Sequence, residues 1–373
     1  MTARYYFDHA ATGWPKHPDV IDAMADYLRN VGASAGRGVY RSAGVAGDII
    51  ADTRRRLAGL VLAPDPSSIS LHPGGTAACN AALFGWIRPG DHVVTTAAEH
   101  NAVLRPLHHL TTHRAVDLTV VPLDDGGRVD AQTVLDAVRP TTRLVAVTGA
   151  SNVTGYASPV TNVAAGLRDT PTLLFVDAAQ SIGWLPTDVA VGIDLLAAPG
   201  HKAIGGPPGT GFLYAAPSVR GEGHPPQYGG TGTAGDTLAM PSDYPGRMEA
   251  GSMNVPALAG WCVALDRLNV DANETGRIVD ALMSACDVEG FHSVASRPDV
   301  PLISGSVDGY DATDAAIILS DHFGIECRSG HHCAAAVHPA VGSPPGGLVR
   351  FSSGRETKTE DYATLRRALA ELS

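Results

Sequence analysis

The sequence predicts an α/β fold built on a mainly parallel sheet, and three observations carry that prediction. Seven short apolar runs recur, at 68–71, 92–96, 118–123, 144–150, 173–179, 193–199 and 211–216. Most are apolar throughout rather than alternating, as expected of strands covered on both faces. Helix-length segments at 76–87, 101–113, 130–138 and 159–168 separate the earlier runs, and a strand–helix–strand rhythm builds a doubly wound sheet. From about residue 250 the rhythm changes: helical stretches at 253–268 and 273–286 lead into a shorter α+β region that ends in a helix at 358–372. The expected organisation is a seven-stranded large domain over 15–250 and a smaller α+β domain formed by 1–14 with 251–373.

In such sheets ligands bind beyond the carboxyl ends of the strands, so each strand is read together with the residues just past its end. The run "SISL" at 68–71 leads to Gly74-Gly75-Thr76, which opens the helix 76–87. Free amides at a helix start cradle phosphate, and Thr76 adds a hydroxyl; a plain helix start is the competing reading. After "HVVTT" at 92–96 comes His100, placed to stack on a cofactor ring or to serve as a hydrogen-bonded structural histidine. "LTVVPL" at 118–123 and the helix 130–138 carry no candidate. Asn152 comes after "LVAVTGA", a turn asparagine or a site residue.

The run "LLFVDAA" at 173–179 contains Asp177, with Gln180 three residues on. Pyridoxal phosphate needs an acid beside its ring nitrogen, because the protonated ring is the electron sink. Asp177 supplies that acid and Gln180 a donor to the ring phenolate; alone, Asp177 reads equally as a helix cap. "IDLLAAP" at 193–199 leads into Gly200-His201-Lys202. A partly desolvated lysine forms a Schiff base with an aldehyde cofactor, whereas an isolated loop lysine is usually a solvated charge. "GFLYAA" at 211–216 completes the set, and the glycine- and proline-rich stretch 221–236 is a loop. Within it, Gly230 to Gly235 matches a dinucleotide fingerprint but has neither the preceding strand nor the subsequent helix that the fingerprint requires. Gly32-Ala33-Ser34-Ala35-Gly36 matches a nucleophile elbow yet comes after a helix, so it reads as a connection.

Bulk properties narrow the classes. The 373 residues are 44% hydrophobic and 17% charged with net charge −11, which argues against nucleic acid and anionic membrane as partners. The one basic cluster, Arg54-Arg55-Arg56, reads as a solvated helix face. No apolar run is long enough to span a bilayer, and "MTARYYFDHA" lacks a signal segment, so a cytoplasmic location is expected. Five cysteines, at 79, 262, 286, 327 and 333, suit a reducing compartment rather than a disulfide framework.

The ordered segments "YYFDHAATGWPKHPDV", "GRGVYRSA", "AAEHNAVLRPL", "SNVTG", "FVDAAQSIGWLPTDV", "PGHKAIGGPPGTGFLY", "YGGTGT", "RMEAGSMNVPALAG", "RSGHHCA" and "VRFSSG" cover almost the whole chain. Together they resemble the class V aminotransferase branch of fold-type I pyridoxal-phosphate enzymes, and within it the cysteine desulfurases and selenocysteine lyases. The resemblance implies a persulfide-forming desulfurase that turns L-cysteine into L-alanine, with pyridoxal 5'-phosphate as cofactor. It makes Lys202 the Schiff-base lysine and proton shuttle. It places His100 over the ring, Asp177 at its nitrogen, Gln180 at its phenolate, and Gly75, Thr76 and His201 at the phosphate. Thr231 would reach over from a second subunit, which implies a homodimer with shared sites. Asn152 would contact the cofactor and, with Arg350, bind substrate, Arg350 as a fork for the carboxylate. Cys333 would be the nucleophile that keeps the sulfur and passes it to a protein or small-molecule acceptor, its thiolate favoured by nearby imidazolium or arginine charge. A zinc site on Cys327, His331, His332 and Cys333 is disfavoured, because adjacent ligands rarely reach one tetrahedral ion. A C–S lyase or other aminotransferase-like enzyme acting on a larger thioether, a selenocysteine lyase, and a sulfur-relay partner that holds cofactor without turnover stay open. The chain departs from the family pattern at His9, Ala77, Pro199, after Cys333, and at Glu356-Thr357-Lys358.

Overall fold

All seven apolar runs pair into one sheet in the computed structural model, which describes residues 4–36, 38–232 and 236–372. A short strand β1 (Tyr5–Tyr6) precedes the helices α1 (Pro18–Asp26) and α2 (Arg41–Leu60). Next come β2 (Ile69–His72), α3 (Gly75–Trp86), β3 (His92–Thr96), α4 (Asn101–Arg114), β4 (Asp117–Val121), α5 (Ala131–Asp136) and β5 (Thr142–Thr148). Then come α6 (Val160–Leu167), β6 (Leu173–Asp177), β7 (Leu195–Pro199) and β8 (Gly211–Ala215). The order across the sheet is β2-β8-β7-β6-β5-β3-β4. Only β8 runs against its neighbours, so β2 points the same way as the parallel strands. The carboxyl ends of β2, β3, β5, β6 and β7 therefore share one edge of the sheet.

The continuous apolar runs result from cover on both faces. Leu174, Val176, Leu196 and Ala198 pack into one core with α1, α2, α6 and the later helix that carries Trp261. Their neighbours Leu173, Phe175, Leu195 and Ala197 pack into another with α3 and α4. Successive side chains point to opposite faces, so both sets must be apolar. The run 173–179 stops as a strand at Asp177, whose carboxylate accepts the Ala179 N–H at 3.0 Å and turns the chain. Arg54, expected on a solvated face, instead pairs with Glu249, whose other oxygen accepts the Leu71 N–H at 2.7 Å.

Beyond the long loop lie α7 (Val255–Arg267), α8 (Ala272–Cys286), β9 (Phe291–Ser293), β10 (Leu302–Val307) and α9 (Ala312–Phe323). The chain ends with β11 (Ile325–Glu326), β12 (Arg328–Gly330), β13 (Leu348–Ser352) and α10 (Thr359–Leu372). An antiparallel sheet runs β12-β13-β10-β9, and β1 pairs in parallel with β11. Phe7 shares a core with Phe291, Phe351, Leu365 and Leu369, which ties the N-terminal segment to the C-terminal region. The buried face of α7, by contrast, sends Val255, Leu258 and Trp261 into the core of the large sheet. No helix among the described residues is long and apolar enough to cross a membrane.

Candidate active site

The shared edge of the sheet holds a pocket, and the strand ends explain its lining. The start of α3 brings Gly75, Thr76 and Cys79, the turn after β3 brings His100, and the segment after β5 brings Asn152. Asp177 and Gln180 come from the end of β6, and Pro199, His201 and Lys202 from the end of β7. Gly74 takes φ of 154° at the entry to α3 and has no side-chain cap, so amides of that first turn stay free for a ligand. A Cβ on Gly75 would stand 3.0 Å from Pro199 Cδ. Pro199 thus forms the wall behind the cradle, packed on a glycine.

The loop carrying Lys202 is fixed from two sides. The His201 carbonyl accepts hydrogen bonds from Lys16 Nζ at 2.8 Å, the Gly13 N–H at 2.9 Å and the Thr12 hydroxyl at 3.2 Å. On the other side Trp261 lies so close that a Cβ on Gly206 would stand 2.4 Å from its ring. Burial draws the Lys202 amine down to about 8, with Arg350 and Arg328 adding to the shift and Asp177 opposing it. An amine tuned this low is partly neutral near physiological pH, which a nucleophilic or basic lysine requires.

His100 caps α4, its Nδ1 accepting the Ala102 N–H at 3.0 Å. The ring proton therefore sits on Nε2 in the neutral form, and burial with the Lys202 charge holds the ring neutral, at about 4. Asp177 is 3% exposed, and burial raises its carboxyl. The Ala179 N–H, the Lys202 charge and a hydrogen bond from the Cys79 thiol pull the other way. Gln180 donates through Nε2 to the Ala10 carbonyl at 3.0 Å, which leaves one amide hydrogen for a ligand.

Three candidates stand outside that pocket. Arg350 is 2% exposed; it donates to the Asn152 carbonyl at 3.1 Å and to Asp8 at 3.0 Å, while its Nε has no partner among the described residues. The fork is thus half engaged by Asp8 and holds one unused donor. Cys333 is exposed and lines a groove that shares Thr76, His100 and Ala102 with the pocket. Its carbonyl accepts the Asn101 N–H at 2.7 Å, and the preceding His332 carbonyl accepts Asn152 Nδ2 at 2.6 Å. Asn152, expected at cofactor and substrate, thus spends a side-chain hydrogen on the Cys333 loop. His332 and Cys333 take φ of 49° and 57°, a left-handed pair that only such anchoring sustains. Thr231 does not line the pocket; its loop lies against Gly251, whose N–H donates to the Gly230 carbonyl at 2.8 Å. Residues 233–235 of the discounted fingerprint lie outside the described residues.

The expected charge near Cys333 is imidazolium or guanidinium, and His332 does not supply the first. His332 is 4% exposed with neither ring nitrogen bonded among the described residues, and burial pushes it down to about 2, so it stays neutral. Arg350 supplies guanidinium charge near Cys333. No group of three potential metal ligands occurs among the described residues, and all five cysteines are free.

Sequence reasoning passed over Asp8, Cys79 and Glu99 as site residues and had Arg328 only as a charge flanking the Cys333 loop. Arg328 pairs with Arg350 across β12 and β13, which doubles the cationic charge at the site. Only the arginine left a signal, as the residue opening "RSGHHC". Two departures from the family pattern also meet: Thr357 Oγ1 approaches His9 Nε2 at 3.5 Å.

Residues 5–365 match the aminotransferase class-V family. A probable cysteine desulfurase of Methanothermobacter thermautotrophicus is 34% identical over 99% of this chain and 94% of its own length. A cysteine desulfurase of Pectobacterium atrosepticum is 31% identical over 96% of this chain and 91% of its own. The apo structure of cysteine desulfurase from Thermococcus onnurineus superimposes with a TM-score of 0.90 at 28% identity, covering 99% of this chain and 94% of that one. With a strand-end pocket of this composition and a match over nearly its full length, the chain belongs to the class-V aminotransferase family.

Proposed function

We propose that the protein is a pyridoxal-phosphate-dependent cysteine desulfurase, which converts L-cysteine to L-alanine and holds the sulfur as a persulfide on Cys333. The observation that carries this reading is the adjacency of two features: a pocket lined by Lys202, Asp177 and His100, and an exposed Cys333 on a groove that shares His100 and Thr76 with that pocket. The donor set suits the cofactor. Uncapped amides with Thr76 and His201 suit a phosphate, a flat histidine suits the ring face, and a buried carboxylate suits a pyridinium whose charge offsets the cost of burying Asp177.

When bound, pyridoxal phosphate supplies an electron sink for the pair left on the substrate α-carbon. Lys202 Nζ takes the α-proton and later returns one, and Arg350 orients the α-carboxylate through its free Nε. Asn152 serves the site by holding the Cys333 loop and the Arg350 guanidinium together. Cys333 Sγ attacks the substrate sulfur, the Cβ–S bond breaks, and its electron pair stays on carbon, which takes up a proton to become the alanine methyl group. The sulfur is oxidised to the persulfide level as the carbon is reduced, so no outside oxidant is needed.

The position of Thr231 away from its own pocket supports a homodimer in which that residue completes the partner's phosphate site. The shared core of Phe7 and Phe351 supports a division into 15–250 and 1–14 with 251–373, although α7 within the latter span packs into the core of the large sheet. The sulfur then passes to an acceptor, in the cytoplasm.

The test is product analysis of cofactor-loaded protein given L-cysteine and a thiol reductant, beside a Cys333→Ala variant. Wild type should form alanine and sulfide in equal amounts, while the variant, though cofactor-loaded, should lose about a thousandfold or more, the scale of removing a covalent nucleophile. Pyruvate with ammonia, or alanine from both proteins at similar rates, would overturn the reading in favour of a lyase.

A further inference from the structure

Directly before His100 lies a carboxyl that this chemistry leaves unused. Glu99 is 0% exposed. Its Oε1 accepts the Thr96 hydroxyl at 2.8 Å and the Thr148 N–H at 2.8 Å. Thr148 is the register partner of Asp177 across β5 and β6, and the Gly149 N–H donates to the Asp177 carbonyl at 2.8 Å. One carboxyl thus links the turn that presents His100 to the strand end that presents Asp177. Its other oxygen, Oε2, is buried and has no partner among the described residues.

A buried carboxylate persists only with a cation or with donors on both oxygens. Glu99 has donors on one oxygen, and the groups facing it are Asp177 from β6, Cys79 from α3 and its own neighbour His100. None supplies positive charge: His100 is held neutral, and a second carboxylate beside Asp177 would repel it. Asp177, in turn, has the Lys202 amine, the Ala179 N–H and the Cys79 thiol. Two adjacent carboxyls in one dry site share their protons unequally, and the better-served one takes the charge.

We propose that Glu99 is a positioning residue: a protonated carboxyl that ties the His100 turn to the end of β5 and leaves the negative charge of the site on Asp177. The proposal rests on the cofactor reading for its purpose, though not for its chemistry. Burial raises Glu99 to about 8, against an ordinary 4.5, in line with this assignment. The native state keeps a proton that the unfolded chain releases above its ordinary carboxylate range. Stability attributable to Glu99 therefore falls as pH rises from that range and levels off above about 8.

The experiment compares wild type with Glu99→Gln, which keeps the shape and the Oε1 acceptor but has no titrating proton, and Glu99→Leu, which removes the acceptor. An infrared difference spectrum of wild type minus Glu99→Gln at neutral pH should contain a protonated-carboxyl carbonyl band. The Tm advantage of the Gln variant should be small at about pH 5 and grow toward about pH 8. With cofactor added, Glu99→Leu should release it about tenfold faster, the scale of two buried donors left unpaired, and Glu99→Gln should retain it. A carboxylate band in place of the carbonyl band, or a pH-independent Tm difference, would overturn the assignment, as would cofactor loss by the Gln variant equal to that of Leu. The first two readouts need neither cofactor nor substrate. Their failure would sink the Glu99 assignment alone, whereas absent alanine formation with both intact would sink the desulfurase reading.

Discussion

Lys202→Ala should abolish turnover, with a loss of at least about ten-thousandfold, the upper end of what a positioned proton-transfer group supplies. The loss has two sources. In the proposed reading, the amine held near 8 by burial captures the cofactor aldehyde, and the same nitrogen serves as the base for the substrate α-proton. The loop around it should survive the change, because the His201 carbonyl keeps its three donors and Gly206 keeps its contact with Trp261. The variant should therefore fold with a wild-type Tm and bind pyridoxal phosphate reversibly. After borohydride treatment and gel filtration in denaturant, no lysine of the variant should carry the cofactor label. Added small amines should restore part of the rate. Label elsewhere in the chain, or undiminished turnover, would show that Lys202 is not the anchoring lysine.

Asp177→Asn should cost about a hundred- to a thousandfold in turnover, the range for losing one preorganised charge partner, while leaving the cofactor bound. Asparagine preserves the acceptor for the Ala179 N–H and removes the charge, turning the second oxygen, which can face the Cys79 thiol, into an amide donor. The expected signature is spectroscopic: the ring nitrogen of the bound cofactor should lose its proton at lower pH than in wild type. Because the carboxyl is buried and costly to ionise, apo Asp177→Asn should also be at least as stable as the apo wild type, as judged by Tm. A variant that keeps wild-type turnover and ring titration would remove Asp177 from the role.

Much of this arrangement is legible in the sequence because strand ends are. A run that is apolar on every residue, ended by an aspartate that caps the next turn, locates Asp177 without any structure, and the same logic locates Thr76, His100 and Lys202. The direction of β8 is not legible: a strand buried on both faces has the same composition either way round. Nor is the placement of α7, whose apolar stripe says that it packs but not on which core. Pairings across long separations stay hidden for the same reason. Asp8 with Arg350, and His9 with Thr357, are joined only because β1 pairs with β11 and the chain ends meet. Burial is the last hidden quantity. "HHC" reads as two chargeable imidazoles beside a thiol, yet the fold seals the second away and keeps it neutral. Glu99 reads as an ordinary charge until its depth is known.

If the desulfurase reading holds, sulfur from L-cysteine resides on Cys333. The direct measurement is intact and peptide mass spectrometry of cofactor-loaded protein after a single turnover with L-cysteine and no reductant or acceptor. One added sulfur atom is predicted on the peptide containing Cys333, lost on treatment with a thiol, and none on peptides containing Cys79, Cys262, Cys286 or Cys327. Alanine released with no sulfur on Cys333, or with sulfur on another cysteine, would contradict it.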